Sequence, residues 1–255
     1  MFGAGLERFV VDTTANSPIQ YQNFVRDFGN TNNTLRMDAS FARDSRDNFL
    51  FPTKGSLQRA SVEFGAPPGD LQYYKLSMQH QQYFPLGKDF TLMLNGEIGY
   101  GGGLGGKPLP FFRNFFAGGV TSVRGFETGT IGPKTPAAKS TSVPCNTVSL
   151  ADCDIVALGG DTKLLGNVEL LFPMPGIKDN SVRLSTFLDA GGVFGIGDNR
   201  FGSNQFSLDE LRYSVGLGLA WNSPLGPLKF SLAYPLNKDE WDKTQVFQFN
   251  MGSSF

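Results

Sequence analysis

The chain has 255 residues, with 22 Lys and Arg against 23 Asp and Glu and a single His, so its formal net charge is −1. That balance removes any electrostatic case for nucleic acid as a partner, and no apolar run approaches the ~18 residues that a membrane helix needs. A mean hydropathy of −0.17 does not exclude a membrane protein, because a transmembrane barrel alternates lipid-facing and lumen-facing residues, which average out.

Taken in order, the chain alternates with period two. Phe2–Val11 reads as a first strand, followed by a long connection to about Asn33. Leu35, Met37, Ala39 and Phe41 share one face, as do Ala60, Val62 and Phe64. Tyr74, Leu76, Met78 and Phe84 mark a strand near Leu71–Leu86, with the only histidine, His80, on its apolar-parity face. Phe90, Leu92, Leu94, Ile98 and Tyr100 oppose Thr91, Met93, Asn95, Glu97 and Gly99. Beyond the Gly-rich segment 101–160, strands are expected at Thr162–Phe172, Val182–Asp189, Leu211–Trp221, Leu228–Tyr234 and Lys243–Phe255. About ten strands result, most near the 9–11 residues that cross a bilayer when tilted.

The expected fold class is all-β. In a soluble sandwich the apolar faces would pack together as a core; in an outer-membrane barrel they face lipid, with aromatics at the interfaces. The opposite faces are rich in Gly, Ser, Asn and Gln rather than Lys and Glu, as a confined lumen prefers. Connections alternate short (Pro224–Pro227) and long (101–160), as barrel turns and outer loops do. The reading is an antiparallel transmembrane β-barrel.

Arg124 is the main candidate for function. It lies among small and apolar residues in Val123-Arg124-Gly125-Phe126, and in a barrel such an arginine is expected to point at carboxylates. Parity puts Glu169 and Asp189 on the inner faces of two consecutive strands, where a guanidinium could bridge them through charge-assisted bonds. Cys145 and Cys153 enclose seven residues, Asn146–Asp152. They would stay as thiols in a cytosolic chain and be joined in an exported one, a bridge worth about 2–3 kcal/mol on the chain-entropy reading. No second His accompanies His80, no phosphate-binding loop is present, and no nucleophile–base pair is found. No metal, no cofactor and no catalytic constellation are expected. Phe247, Phe249, Met251 and the terminal Phe255 share one face, as a last barrel strand carrying an insertion signal would. Met1–Gly5 has neither the basic nor the apolar region of a signal peptide, so an exported protein would begin upstream of it.

Four stretches together resemble the BamA family of outer-membrane barrel-assembly proteins. They are Pro110–Phe126 with its Val-Arg-Gly-Phe, Thr130-Ile131-Gly132-Pro133, Ser223-Pro224-Leu225-Gly226-Pro227-Leu228, and Phe247-Gln248-Phe249-Asn250 through Phe255. The resemblance implies a sixteen-stranded barrel of which residues 1–255 supply about ten C-terminal strands, the first strands and the periplasmic POTRA domains being absent. It implies that the loop 101–160 folds into the lumen, that Arg124 meets Glu169 and Asp189, and that Cys145 and Cys153 pair. It further implies a lateral gate at the C-terminal strand, unfolded outer-membrane proteins as clients, accessory assembly lipoproteins as partners, and the outer membrane of a Gram-negative bacterium as the location. The alternative is a two-partner-secretion-type transporter passing an unfolded protein through its lumen, since such transporters share the arginine loop.

Overall fold

A computed structural model of the chain describes residues 1–138, 153–176, 181–195, 206–224 and 226–252. Its framework is a ten-stranded antiparallel sheet. The strands are β1 (Phe2–Val10), β2 (Thr31–Asp44), β3 (Gly55–Ala66), β4 (Tyr73–Pro85) and β5 (Thr91–Gly103), then, past three short strands among the described residues of the long loop, β9 (Thr162–Pro173), β10 (Val182–Phe194), β11 (Arg212–Ser223), β12 (Gly226–Pro235) and β14 (Phe247–Met251). The short strands of the loop are β6 (Gly125–Phe126), β7 (Lys134–Ala138) and β8 (Cys153–Ala157), and β13 is Thr244–Gln245. Each sheet strand pairs with its neighbour in sequence, with β5 joining β9 across the loop. The sheet is not closed: β1 and β14 stand at its two ends.

The period-two pattern puts an apolar face outside. Leu6, Met37, Phe41, Met78, Ile98, Leu217 and Leu232 are all exposed there, as is His80. In water so broad an apolar surface would be a liability; in a bilayer it is the solvated face. The inner face is filled by the long loop rather than by a second sheet. Phe115, Ala117, Val123, Phe126 and Ile131 of the loop pack on Leu165 of β9 and Val193 of β10. The core therefore lies inside the curve of the sheet.

Two elements differ from the sequence reading. The connection after β1 holds a helix, α1 (Ile19–Phe28), which starts after Pro18 and stops at Gly29, whose φ of +79° ends the turn. Its aromatic side, with Phe24 and Phe28, packs on Leu71, Tyr73, Leu109, Phe111 and Phe112. The segment is amphipathic, but its ten residues make only about three turns, too few to stand out in a chain dominated by period two. The expected last strand, Lys243–Phe255, is broken. Val246 and Phe247 are both exposed, so alternation fails there, and the Val246 carbonyl accepts from the Ala233 N–H at 2.9 Å. Thr244 and Gln245 turn inward to pair with Phe126 and Gly125, while Phe247–Met251 stays in the wall against Leu228–Leu232. Phe255 lies outside the described residues.

Candidate functional site: a lumen loop tied to the inner wall

The loop from Leu104 to Asp161 is fastened to three parts of the sheet. At its entry, Arg113 reaches the first strands. Its Nη2 lies 2.6 Å from Glu7 of β1 and its Nε 3.3 Å from Glu63 of β3, and the guanidinium sits over the rings of Phe9 and Tyr73. Lys75 of β4 donates to the Arg113 carbonyl at 2.8 Å.

At mid-loop, the structure brings Arg124, Glu169 and Asp189 together. Asp189 is fully buried and takes a fork from the guanidinium, Nε and Nη2 each at 2.7 Å. Nη1 donates to Glu169 at 3.2 Å. The Arg124 backbone N–H adds a bond to Asp189 at 3.1 Å, so main chain and side chain are positioned by the same carboxylate. The guanidinium lies flat on Phe187, 3.3 Å from its ring centre. Burial works against the Arg124 charge, but Glu169 and Asp189 outweigh it and leave the guanidinium's pKa above its ordinary value. The register explains the convergence: Glu169 stands opposite Phe187 and Asp189 opposite Asn167 across the β9–β10 pair. Room for the Phe187 ring comes from Gly216, where a Cβ would lie 2.5 Å from it.

Behind Asp189 runs a row of amides that the alternation pattern alone did not single out. Gln79 of β4 donates to Asn95 of β5 at 3.0 Å, Asn95 donates to Asn167 of β9 at 2.8 Å, and Asn167 donates to Asp189 of β10 at 2.9 Å. Asn167 also donates to the Ser122 carbonyl at 2.9 Å. Four neighbouring strands thus orient one carboxylate, and each amide takes the only role its neighbour leaves open.

On the far side the loop meets the last strand. Val123 and Phe126 are fully buried. Gly125 has φ +91°, and a Cβ there would lie 3.2 Å from Ala233, so only glycine turns the chain this close to β12. Gln248 of β14, buried on the inner face, donates to the Phe126 carbonyl at 2.7 Å and accepts from the Gly125 N–H at 3.4 Å. Phe247, Phe249 and Met251 point the other way and are exposed. Cys153 is buried at the start of β8 and is not a free thiol; Cys145 lies outside the described residues. No group of His, Cys, Asp and Glu able to hold a metal occurs among the described residues.

An open antiparallel sheet with an apolar outer face and an arginine-tied loop inside defines a class: part of an outer-membrane-type β-barrel with a loop folded into its lumen. Residues 3–255 match the Omp85 superfamily domain, and the chain belongs to that superfamily. It is 40% identical to the outer membrane protein assembly factor BamA of Neisseria meningitidis over the whole of this chain, which is 34% of that protein. A SAM50-like protein of Schizosaccharomyces pombe is 30% identical over 85% of this chain and 43% of its own length. Among solved structures, BamA from Haemophilus ducreyi lacking POTRA domains 1–3 superposes with a TM-score of 0.82 at 25% identity, covering 97% of this chain and 53% of that one. The chain thus spans about a third to a half of these three relatives.

Proposed function

We propose that the protein to which these residues belong assembles β-barrel proteins in the outer membrane of a Gram-negative bacterium, and that residues 1–255 form the C-terminal part of its barrel. The observation that carries this reading is the 40% identity to an assembly factor across every strand and the arginine-tied loop. The geometry supplies a mechanism that needs neither cofactor nor nucleophile. β14 is a five-residue strand at the end of the sheet, with backbone groups along its outer edge available to an unfolded client, which adds to it by β-augmentation. The Arg124–Glu169–Asp189 tie, with Val123, Gly125 and Phe126 packed around it, holds the lumen loop against the wall so that Gln248 keeps this strand in place. Phe247, Phe249 and Met251 give the templating strand its lipid-facing side; Phe255 lies outside the described residues. Clients are unfolded outer-membrane proteins; accessory lipoproteins act through POTRA domains outside these residues. In the loop beyond Lys134 we assign a Cys145–Cys153 bridge.

The test is insertion of a fluorescently labelled barrel client into liposomes carrying the full-length protein, followed as acquisition of heat-modifiable gel migration. A cysteine pair joining the free edge of β14 to a client's terminal strand should trap the two together during insertion. Insertion at the full rate with no crosslink at β14 rules the templating strand out.

A further inference from the structure

The loop has one more attachment, distinct from the three already described. Past Phe126 it runs to Lys134, whose side chain is 3% exposed and whose ammonium lies 2.7 Å from the carboxylate of Asp242, a side chain that is 1% exposed. Lys134 also donates to the Gly132 carbonyl at 3.3 Å. The second oxygen of Asp242 accepts from Arg212 Nε and, at 2.8 Å, from the Asp239 backbone N–H. Arg212 opens β11 and is braced by the Glu210 carbonyl at 3.1 Å and the Asp239 carboxylate at 3.6 Å. One carboxylate is therefore shared by a cation of the loop and a cation of the wall. It belongs to the segment 236–243 that leads into the last strand. That segment is fixed at its other end by Asn237, which bonds the Tyr213 N–H at 2.7 Å and the Leu211 carbonyl at 2.8 Å. One residue after Asp242 the joining of strand and loop begins: the Glu127 N–H donates to the Lys243 carbonyl at 2.9 Å, and Thr244 and Gln245 pair with Phe126 and Gly125. Burying two cations on one carboxylate costs desolvation and is a poor way to gain stability, but removing one partner is expensive, so such a cluster fixes an arrangement.

We propose that Asp242, clamped between Lys134 and Arg212, is a latch that makes the lumen loop and the start of the last strand move as one body. Lys134 and Arg212 are its positioning residues. Opening the latch frees β13 from β6 and lets β14 swing from the loop while the Arg124 tie stays closed. Its use as a gate rests on β14 being the templating edge; its existence does not.

Hydrogen–deuterium exchange on the full-length protein in lipid nanodiscs, without client, reads the latch directly. In Lys134→Met, amides of 125–128 and 243–249 should exchange about tenfold faster or more, while those of 165–171 and 185–191 keep their original rates. Arg212→Met should behave alike, and Arg212→Lys, which keeps the cation, should stay near the parent. Unchanged exchange over 243–249, or equal acceleration of the β9–β10 amides, overturns the proposal. Should Lys134→Met lose heat-modifiable migration, Asp242→Asn in the same measurement decides, since it removes the charge and keeps the shape. A latch that opens by exchange while client insertion is unaltered would leave the latch standing and remove the assembly reading of β14.

Discussion

The wall at β9–β10 and the seam at β12–β14 hold the same loop in opposite ways. β10 runs 13 residues and pairs along Arg183–Phe194 with the whole of β9, and the loop meets it through a buried fork of charges. β14 has five residues in the sheet; before it Val246 still bonds Ala233 of β12, while Thr244 and Gln245 pair with the loop. At the wall the loop is a guest of an intact sheet; at the seam it holds part of the sheet itself. The difference teaches where the molecule can move: the wall is overdetermined, and the seam divides its backbone bonds between two partners.

The largest expected effect breaks the wall side. Arg124→Ala leaves Asp189 buried with no countercharge, at a cost of about 3–5 kcal/mol, and should make 115–135 sensitive to protease in the folded full-length protein while impairing client insertion. An ordered, protected loop with normal insertion would refute the tie. Next comes the outer face of the seam. Phe249→Lys should cost about 2–4 kcal/mol near the bilayer midplane, read as a lowered midpoint in urea unfolding from liposomes; tolerance of lysine at 247, 249 and 251 alike would reverse the assignment of the lipid face. On the inner face, Gln248→Leu removes its bonds to the Gly125 N–H and to the Phe126 carbonyl, which keeps the Gly119 N–H at 3.1 Å, at about 0.5–1.5 kcal/mol. It should raise exchange at 125–127 but not at 185–191, and an even rise across both would mean that the seam has no separate mobility.

The smallest effect is one of pH. Burial pushes the Asp242 carboxyl up, but Lys134, the Asp239 N–H and Arg212 pull it further down, so it lies below the ordinary carboxylate value. A carboxylate with a depressed folded pKa contributes its full stability above the unfolded value and loses it as the pH falls through the folded one. Opening of 243–249, read as exchange corrected for the intrinsic pH dependence of amide exchange, should therefore be flat from neutrality to about pH 5 and rise only below about pH 4. A rise between pH 7 and 6 would point to a different titrating group.

Alternation made the wall legible in the sequence, because inside and outside swap with every residue in a half-buried strand. The shared inner face of Glu169 and Asp189 follows from it, as does the outward set Phe247, Phe249 and Met251. What alternation cannot give is which inner residues touch. Asn167, Phe187 and Gln248 sit in strands whose inner faces hold many similar small or amide residues, and pairing register across strands distant in sequence decides which of them meets the loop. Gln79 and Asn95 were equally anonymous. Lys134 and Asp242 come from connections where no period applies, so nothing local links them. The helix α1 was hidden for another reason: its ten residues bury one aromatic side against the loop entry, and that surface exists only once Phe111 and Phe112 are in place.

The bend at Val246 also acts as an end-stop. On the templating reading proposed above, a strand laid along the outer edge of β14 would run out of straight template beyond Phe247, where Val246 keeps its bond to Ala233 and Thr244 and Gln245 turn to pair with the loop. The halt is set by backbone direction, so it falls at the same place for every strand regardless of its side chains. If β14 is the template, an edge built in this way would align newcomers by where they run out of partner rather than by what they are.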